Sequence, residues 1–268
     1  TLQLLKSIEH MDPPRRSGAL LPASLLRPPR LVGRAAAWQQ LQAAWDSARA
    51  VLLLGEGGIG KTRLLDDFMQ ARDGALHGRA RPGDGASPYA TLLPLLQQAL
   101  QRHQPALEPG TRLELARLLP ELGPAPPHEG RQAVLWQAVE ALLERCRARG
   151  LQAIVVDDLH LADPATLDLL HWLLGSPRLS GLHWLFAARP DEPEPASPLL
   201  RDWLGGSLRI EPLHLQPLDA QQVAELLDSL QLPADSGAAA TQAAALHRHA
   251  GGHPFFTLET LKSQLLAH

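Results

Sequence analysis

The chain has 268 residues, a formal net charge of −3 and a hydrophobic fraction of 45%, which predicts one or two soluble globular domains. This slight acidity excludes an overall positive field, so we expect no direct binding to nucleic acid or to acidic lipid. The single cysteine, Cys146, excludes an internal disulfide framework, and no apolar run approaches the roughly 18 residues that span a bilayer. We therefore expect a cytoplasmic protein with no membrane partner.

The first 30 residues are rich in proline, in the passage PPRRSGALLPASLLRPPR. Paired prolines break helices and favour extended backbone, so residues 1–30 are predicted to form an arm or linker. From Leu31 onward the pattern changes. Trp38, Leu41 and Trp45 recur at helical spacing and predict a helix that leads into the apolar run VLLL.

Continuous apolar runs then alternate with helical patterns, which predicts a parallel sheet covered by helices. The predicted strands lie at 51–54, 75–80, 151–156, 182–188 and 208–215. Strand signals end at Leu218, and three helical patterns follow at about 219–230, 237–250 and 255–267. We predict a three-layer α/β/α domain with a central parallel sheet over residues 31–216, followed by a small helical lid domain over residues 217–268.

A glycine-rich segment, GEGGIGKT, lies between the first predicted strand and the helix predicted at 61–72. It matches the phosphate-loop pattern G-x-x-x-x-G-K-[ST] in full and in the required context. Glycines let backbone N–H groups wrap phosphates, the lysine reaches the β- and γ-phosphates, and the threonine hydroxyl serves Mg²⁺. The predicted nucleotide-binding residues here are Gly55, Glu56, Gly57, Gly58, Ile59, Gly60, Lys61, Thr62 and Arg63.

A second acidic element, IVVDDLHLAD, follows an apolar strand pattern. We predict that Asp157 holds the Mg²⁺ shell with Thr62, and that Asp158 orients or deprotonates the attacking water. In the alternative interpretation, the two acids only end a strand and cap a turn. His160 either senses the γ-phosphate, bonds Asp158 or faces solvent, and Asp163 is predicted to cap the next helix.

Further segments flank the predicted site. Arg189 ends the strand pattern LHWLFAA, and its position beyond a carboxyl strand end predicts a role in distinguishing ATP from ADP. The alternative is a surface arginine. The segment LVGR brings Val32, Gly33 and Arg34 against an adenine ring, or else forms a turn before a helix. Pro254, in GGHPFF, is predicted as the first residue of a helix.

Residues from about 31 to 268 resemble the signal-transduction ATPases with numerous domains, the STAND class of AAA-type P-loop NTPases. The nearest likeness is to the ATPase module of large bacterial transcription activators. The motifs appear in the family's order, as LVGR, GEGGIGKTRLL, PYATLLPLL, IVVDDLHLADPATLDLL, LFAARPDE and GGHPFF. The resemblance implies a Walker A loop at 55–62, a Walker B pair at 157–158, a first sensor at Arg189, and an adenine contact from Pro254 in the lid.

The chain departs from that family at three positions. Ala35 stands where a glutamate often follows the Val-Gly-Arg motif, and His253 stands where asparagine often precedes the lid proline. Asp158 replaces the glutamate that is common in fast AAA motors, which is consistent with slow hydrolysis. The chain also starts at Thr1 and stops just after the predicted lid, so we expect other domains of a longer parent chain as partners.

The function that these observations predict is a switch that uses ATP or ADP with Mg²⁺. ADP holds a closed monomer, and exchange for ATP rearranges the lid and permits self-association into a homo-oligomer. The alternatives are a small-molecule or nucleoside kinase, a mechanical ATPase, or a non-hydrolysing ATP-binding scaffold. A kinase usually has an arginine-rich closing lid, whereas residues 219–267 contain only Arg248.

Overall fold

This computed structural model describes residues 23–128, 130–190, 203, 210–231 and 239–266. The strands are β1 (Ala50–Leu54), β2 (Ala75–Arg79), β3 (Ala153–Asp157), β4 (His183–Ala188) and β5 (Ile210–His214). The helices are α1 (Ala35–Asp46), α2 (Lys61–Gln70), α3 (Leu93–His103), α4 (Pro109–Leu115), α5 (Gln132–Arg147), α6 (Pro164–Leu174), α7 (Ala220–Ser229), α8 (Ala239–Ala250) and α9 (Pro254–Leu266). Residues 1–22 of the predicted arm lie outside the described residues.

The five strands form one sheet in the order β2-β3-β4-β1-β5, and every neighbouring pair is parallel. Parallel neighbours need long crossovers, which here contain helices. Because all the strands point the same way, the residues that follow β1, β3 and β4 emerge at one edge of the sheet. The register pairs Leu54 of β1 with Ala188 of β4, and Arg79 of β2 with Asp157 of β3.

Side chains alternate across the sheet, so each central strand contributes to two hydrophobic cores. Leu52 and Val156 belong to a core that also contains residues of α3, α5 and α6. Val51 and Leu53 belong to a second core, with residues of α1 and α2. The predicted three-layer α/β/α architecture is therefore confirmed, and it explains why the strands are apolar on both faces.

A third core lies in the helical region after β5. It contains Leu218, Val223 and Leu261, together with Leu25 from before α1. The predicted helical C-terminal region is thus present, and α9 begins at Pro254 as predicted. Leu25 is fully buried, so the chain just before α1 packs against this region. The boundaries of the predicted domains stay predictions.

The observed elements differ from the predicted ones mainly at their ends. β3 starts at Ala153 and includes Asp157, so this acid is the last strand residue and belongs to the ladder with β2. α5 ends at Arg147, and the chain then turns into β3 through Gly150, which has a left-handed backbone conformation. No helix in the described ranges is long and apolar enough to cross a membrane.

The buried thiol of Cys146 provides a test of the packing around α5. Burial raises the pKa of Cys146 to about 12, although Arg149 opposes the shift. Because the thiolate is the reactive form, native protein at pH 8 should react with a disulfide reagent more than about a hundredfold slower than free cysteine. Denaturant should expose the thiol and restore the normal rate. Rapid labelling of the native protein would contradict this packing.

Candidate nucleotide-binding site

The phosphate-loop segment depends on backbone conformations that favour glycine. Gly58 and Gly60 have φ angles of +82° and +103°, and α2 begins directly after Gly60. A Cβ atom at Gly60 would meet no atom within 4 Å, so its backbone conformation alone favours glycine there. The loop thus curves around the N-terminus of α2, where unpaired N–H groups and the helix dipole favour an anion.

Lys61 lies inside this curve and is buried. Its Nζ donates hydrogen bonds to the carbonyl oxygens of Gly55 at 2.7 Å and Glu56 at 2.9 Å. Burial lowers the pKa of Lys61, while the two acids at the end of β3 oppose the shift. The hydrogen bonds to Gly55 and Glu56 hold the ammonium at the edge of the sheet where the loop would bind phosphates.

The structure brings Thr62 and Asp157 into direct contact. The Thr62 hydroxyl donates to Asp157 Oδ2 at 2.6 Å, and the backbone N–H of Asp158 donates to Asp157 Oδ1 at 2.9 Å. Asp158 itself has a left-handed backbone, with φ of +52°, which turns the chain out of β3. The structure thus places both acids beside the loop.

The Thr62 hydroxyl and the Asp157 carboxylate are suitable ligands for a magnesium ion that is carried by a nucleotide. A hydroxyl and a carboxylate are hard oxygen ligands, and Mg²⁺ is usually held by one or two carboxylates plus phosphates and water. Across the described residues, no cluster of three or more His, Cys, Asp or Glu side chains could hold a metal on its own. Thr62 and Asp157 would supply two ligands to such an ion, and the phosphates would supply others.

Arg79 is a member of this site that the sequence analysis missed. Its Nη2 donates to Asp157 Oδ2 at 3.1 Å and its Nε to Asp158 Oδ2 at 3.0 Å. Nη2 also lies 3.5 Å from the Thr62 hydroxyl oxygen. The signal that could have found it is positional, because Arg79 ends β2, and β2 pairs with β3 so that Arg79 faces Asp157.

Arg189 reaches the loop from the end of β4. A Cβ atom built on Gly57 would lie 2.9 Å from Arg189 Cζ, so the guanidinium packs directly against this glycine. The backbone N–H of Arg189 is 3.4 Å from His160 Nδ1.

His160 is only 1% exposed, so the solvent-facing alternative was wrong. Asp163 caps α6 as predicted, by accepting the backbone N–H of Thr166.

A mostly apolar cleft of about 200 Å³ lies beside the loop. Val32 and Arg34 line it from the N-terminal side, Arg63 from α2, and Pro254 from α9. The buried Arg34 guanidinium donates to two backbone carbonyl oxygens, both at 2.8 Å, and burial lowers its pKa. An apolar slot next to a phosphate loop suits a planar base.

Gly33 and Arg63 fix the walls of this cleft. Gly33 has a φ of +66°, and a Cβ atom there would lie 2.6 Å from Leu218 Cδ2, so the LVGR turn packs against the chain leading into α7. Arg63 donates to Asp67 Oδ2 at 2.7 Å and to the Pro28 carbonyl oxygen at 2.9 Å. Arg63 thus lines the cleft and ties it to the chain before α1, whereas Gly33 packs behind it against the lining residue Leu218.

The start of α9 rests on the loop itself. A Cβ atom at Gly58 would lie 2.7 Å from Phe255 Cβ and 3.1 Å from His253 Cε1. His253 is 5% exposed, and its Nε2 is 3.9 Å from Glu56 Oε2. Burial lowers the pKa of His253, while Glu56 opposes the shift. The C-terminal helices thus touch the predicted phosphate loop directly.

A strand, a glycine loop and a helix at the carboxyl edge of a five-stranded parallel sheet define the P-loop NTPase fold. The AAA ATPase domain family matches residues 30–187, which is more than half of the chain. This protein therefore belongs to the AAA ATPase domain family, and the AAA-type assignment made from the sequence is confirmed. A comparison with curated proteins found no match.

Solved structures with a similar fold include a Walker-type ATPase of Pyrococcus abyssi, with 14% identity and a TM-score of 0.53 over 85% of this chain. The ORC2 protein of Aeropyrum pernix has 15% identity and a TM-score of 0.52 over 88% of this chain. A STAND protein with a tetratricopeptide repeat sensor from Pyrococcus horikoshii has 16% identity and a TM-score of 0.49 over 81% of this chain. The chain spans 66%, 62% and 28% of these proteins, respectively.

The contact between Gly58 and α9 can be tested by adding one methyl group. Gly58→Ala should push Phe255 and His253 away from the loop and speed amide hydrogen exchange in the first turns of α9. Gly60→Ala is the matched control, because it also places alanine at positive φ but meets no neighbouring atom. Equal exchange in α9 for both variants would show that the contact does not hold the helix.

Proposed function

We propose that this chain is the nucleotide-controlled switch module of a STAND-type regulator of transcription. In this proposal it binds ADP or ATP with Mg²⁺ and hydrolyses ATP slowly. The exchange of ADP for ATP moves the C-terminal helices and permits self-association through the nucleotide-binding faces. The supply of ATP that such a switch needs favours the cytoplasm.

One observation carries this proposal. The cleft beside the phosphate loop is bounded by three parts of the chain, which are the LVGR segment, the loop and the start of α9. A nucleotide with its base in this cleft would touch Val32 on one side and Pro254 on the other, so its binding energy would depend on the position of α9. A ligand shifts a conformational equilibrium only when it binds the two states differently, and a base held between these parts would bind differently if α9 moved.

The positions of the residues at the carboxyl edge of the sheet support the roles proposed for them. Lys61 and the N–H groups at the start of α2 bind the phosphates, and Thr62 and Asp157 hold the metal. When bound, Mg²⁺ neutralises charge on the phosphate oxygens. Asp158 orients a water molecule and accepts its proton. Arg189 adds positive charge beside the loop, where a third phosphate would distinguish ATP from ADP.

Several features favour a slow switch over a fast motor or a kinase. Asp158 is shorter than the glutamate that is common in fast AAA motors, and Arg79 already engages it. The Aeropyrum pernix ORC2 protein was solved in ADPNP–ADP complexes and in an ADP form, which supports a site of this fold that accepts both nucleotide states. The described part of α7–α9 offers a single arginine, Arg248, for closure over a transferred phosphoryl group.

Replacement of Lys61 tests nucleotide binding. Wild-type protein purified without added nucleotide and then denatured should release ADP, identified by chromatography. Lys61→Ala should release little or none, because the loop loses the ammonium that lies within its curve. Lys262→Ala is the matched control, since its ammonium bonds Glu259 on α9. Unchanged ADP content in Lys61→Ala would contradict the phosphate-loop assignment.

Replacement of Asp158 tests hydrolysis separately from binding. Asp158→Asn should lower the rate of phosphate release from ATP by about 100-fold, within the range typical of removing a general base, while ADP affinity changes little. Asp168→Asn, at an exposed position on α6, is the matched control. An unaltered rate would remove Asp158 from the mechanism. Rapid phosphorylation of an added metabolite, without phosphate release, would instead favour a kinase.

A further inference from the structure

We propose that Arg79 is a positioning residue that sets how strongly nucleotide binding depends on Mg²⁺. Its guanidinium holds Asp157 and Asp158 together at the edge where the metal and the phosphates would bind. The inference rests on the proposed function, because it assumes that the loop binds a nucleotide. It adds a residue and a measurable property that the phosphate-loop motif does not contain.

The contacts of Arg79 converge on the groups assigned to the metal. Asp157 Oδ2 accepts both the Thr62 hydroxyl and Arg79 Nη2, and Arg79 Nε bonds the neighbouring Asp158. One planar guanidinium thus joins both carboxylates with separate N–H groups. Arginine is suited to this because its donors form a rigid fork, whereas a lysine presents a single compact charge.

A purely structural role does not account for this arrangement. The parallel ladder between β2 and β3 already fixes the two strands, with Arg79 opposite Asp157 in the register. The Arg79 side chain is 57% exposed, and exposed ion pairs contribute little to folding stability. Its effect is therefore expected on the electrostatics of the edge rather than on the fold.

The charges at this edge of the sheet predict how removal of Arg79 would change the dependence of nucleotide binding on Mg²⁺. Two adjacent carboxylates repel an anionic phosphate chain, and the guanidinium offsets one of those charges. With Arg79 present, a nucleotide can approach with less help from a divalent cation. Without Arg79, both carboxylates face the phosphates uncompensated, so binding should rely much more on Mg²⁺.

The surroundings of Arg79 also allow it to adjust when a metal binds. Arg79 lines a cleft of about 310 Å³ between β2, α2 and α3, together with His77, Pro94 and Gln98. A side chain at the rim of such a cleft has room to change rotamer. The guanidinium can therefore break its hydrogen bond to Asp157 Oδ2 when a metal ion binds that oxygen, and keep its hydrogen bond to Asp158.

The test is the ratio of the ADP dissociation constants measured in EDTA and in excess Mg²⁺. Isothermal titration of the 268-residue chain, first stripped of nucleotide, gives both constants. Arg79→Ala should raise this ratio by about tenfold over the wild type, within the usual range of coupling between sites, mainly by weakening binding in EDTA. Arg79→Lys should give an intermediate ratio, since it keeps the charge but loses the fork.

Arg178→Ala is the matched control, because it removes the same charge from a similarly exposed arginine that pairs with Glu140, outside the nucleotide-binding site. Its ratio should equal that of the wild type. A wild-type ratio in Arg79→Ala, or an equal rise in Arg178→Ala, would overturn the inference while leaving nucleotide binding intact. If Arg79→Ala does not fold by circular dichroism, Arg79→Gln serves the same comparison. A wild type that binds no ADP in either buffer would overturn the proposed function itself, and the inference with it.

Discussion

The hydrogen bond from the Thr62 hydroxyl to Asp157 Oδ2 is the contact on which the rest of the site depends. It joins residues 95 positions apart, and it spans the sheet because β4 lies between β1 and β3. The bond forms only if the loop after β1 bends toward β3, which the left-handed Gly58 and Gly60 allow. The two hydrophobic cores hold the strands in that order, so packing on both faces of the sheet positions the polar edge.

The same loop is also constrained from its outer side. Gly58 lies too close to Phe255 and His253 to carry even a methyl group without movement, so the position of α9 and the shape of the loop are linked. Leu218 N–H bonds the Gly252 carbonyl oxygen at 2.8 Å, which ties the start of this helix to the chain that leaves β5. Any change in loop shape on nucleotide binding would therefore reach the C-terminal helices through direct contact.

The sequence predicted those parts of the molecule that depend on local pattern. Apolar runs located all five strands, and the glycine loop was placed correctly because its conformation is encoded in the residues themselves. Arg79 and the burial of His160 escaped prediction for one reason. Both depend on which strands are neighbours. The residues next to an arginine at the end of a short strand do not indicate that it belongs to a site. The contact of Gly58 with α9 escaped for the same reason, since the two segments are far apart in the chain.

In the proposed switch, residues beyond the loop add to the distinction between ADP and ATP. Lys61 is bonded to loop carbonyl oxygens and would meet the β-phosphate of either nucleotide as well as the γ-phosphate of ATP. Arg189 packs against Gly57, and Asp158 follows β3 at the same edge, where Arg79 bonds it. A further phosphate between them would attract one and repel the other. Gly57 is next to Gly58, so a movement of Arg189 would move the part of the loop that α9 contacts. In the proposed switch, the charge of the nucleotide is thereby coupled to the position of α9.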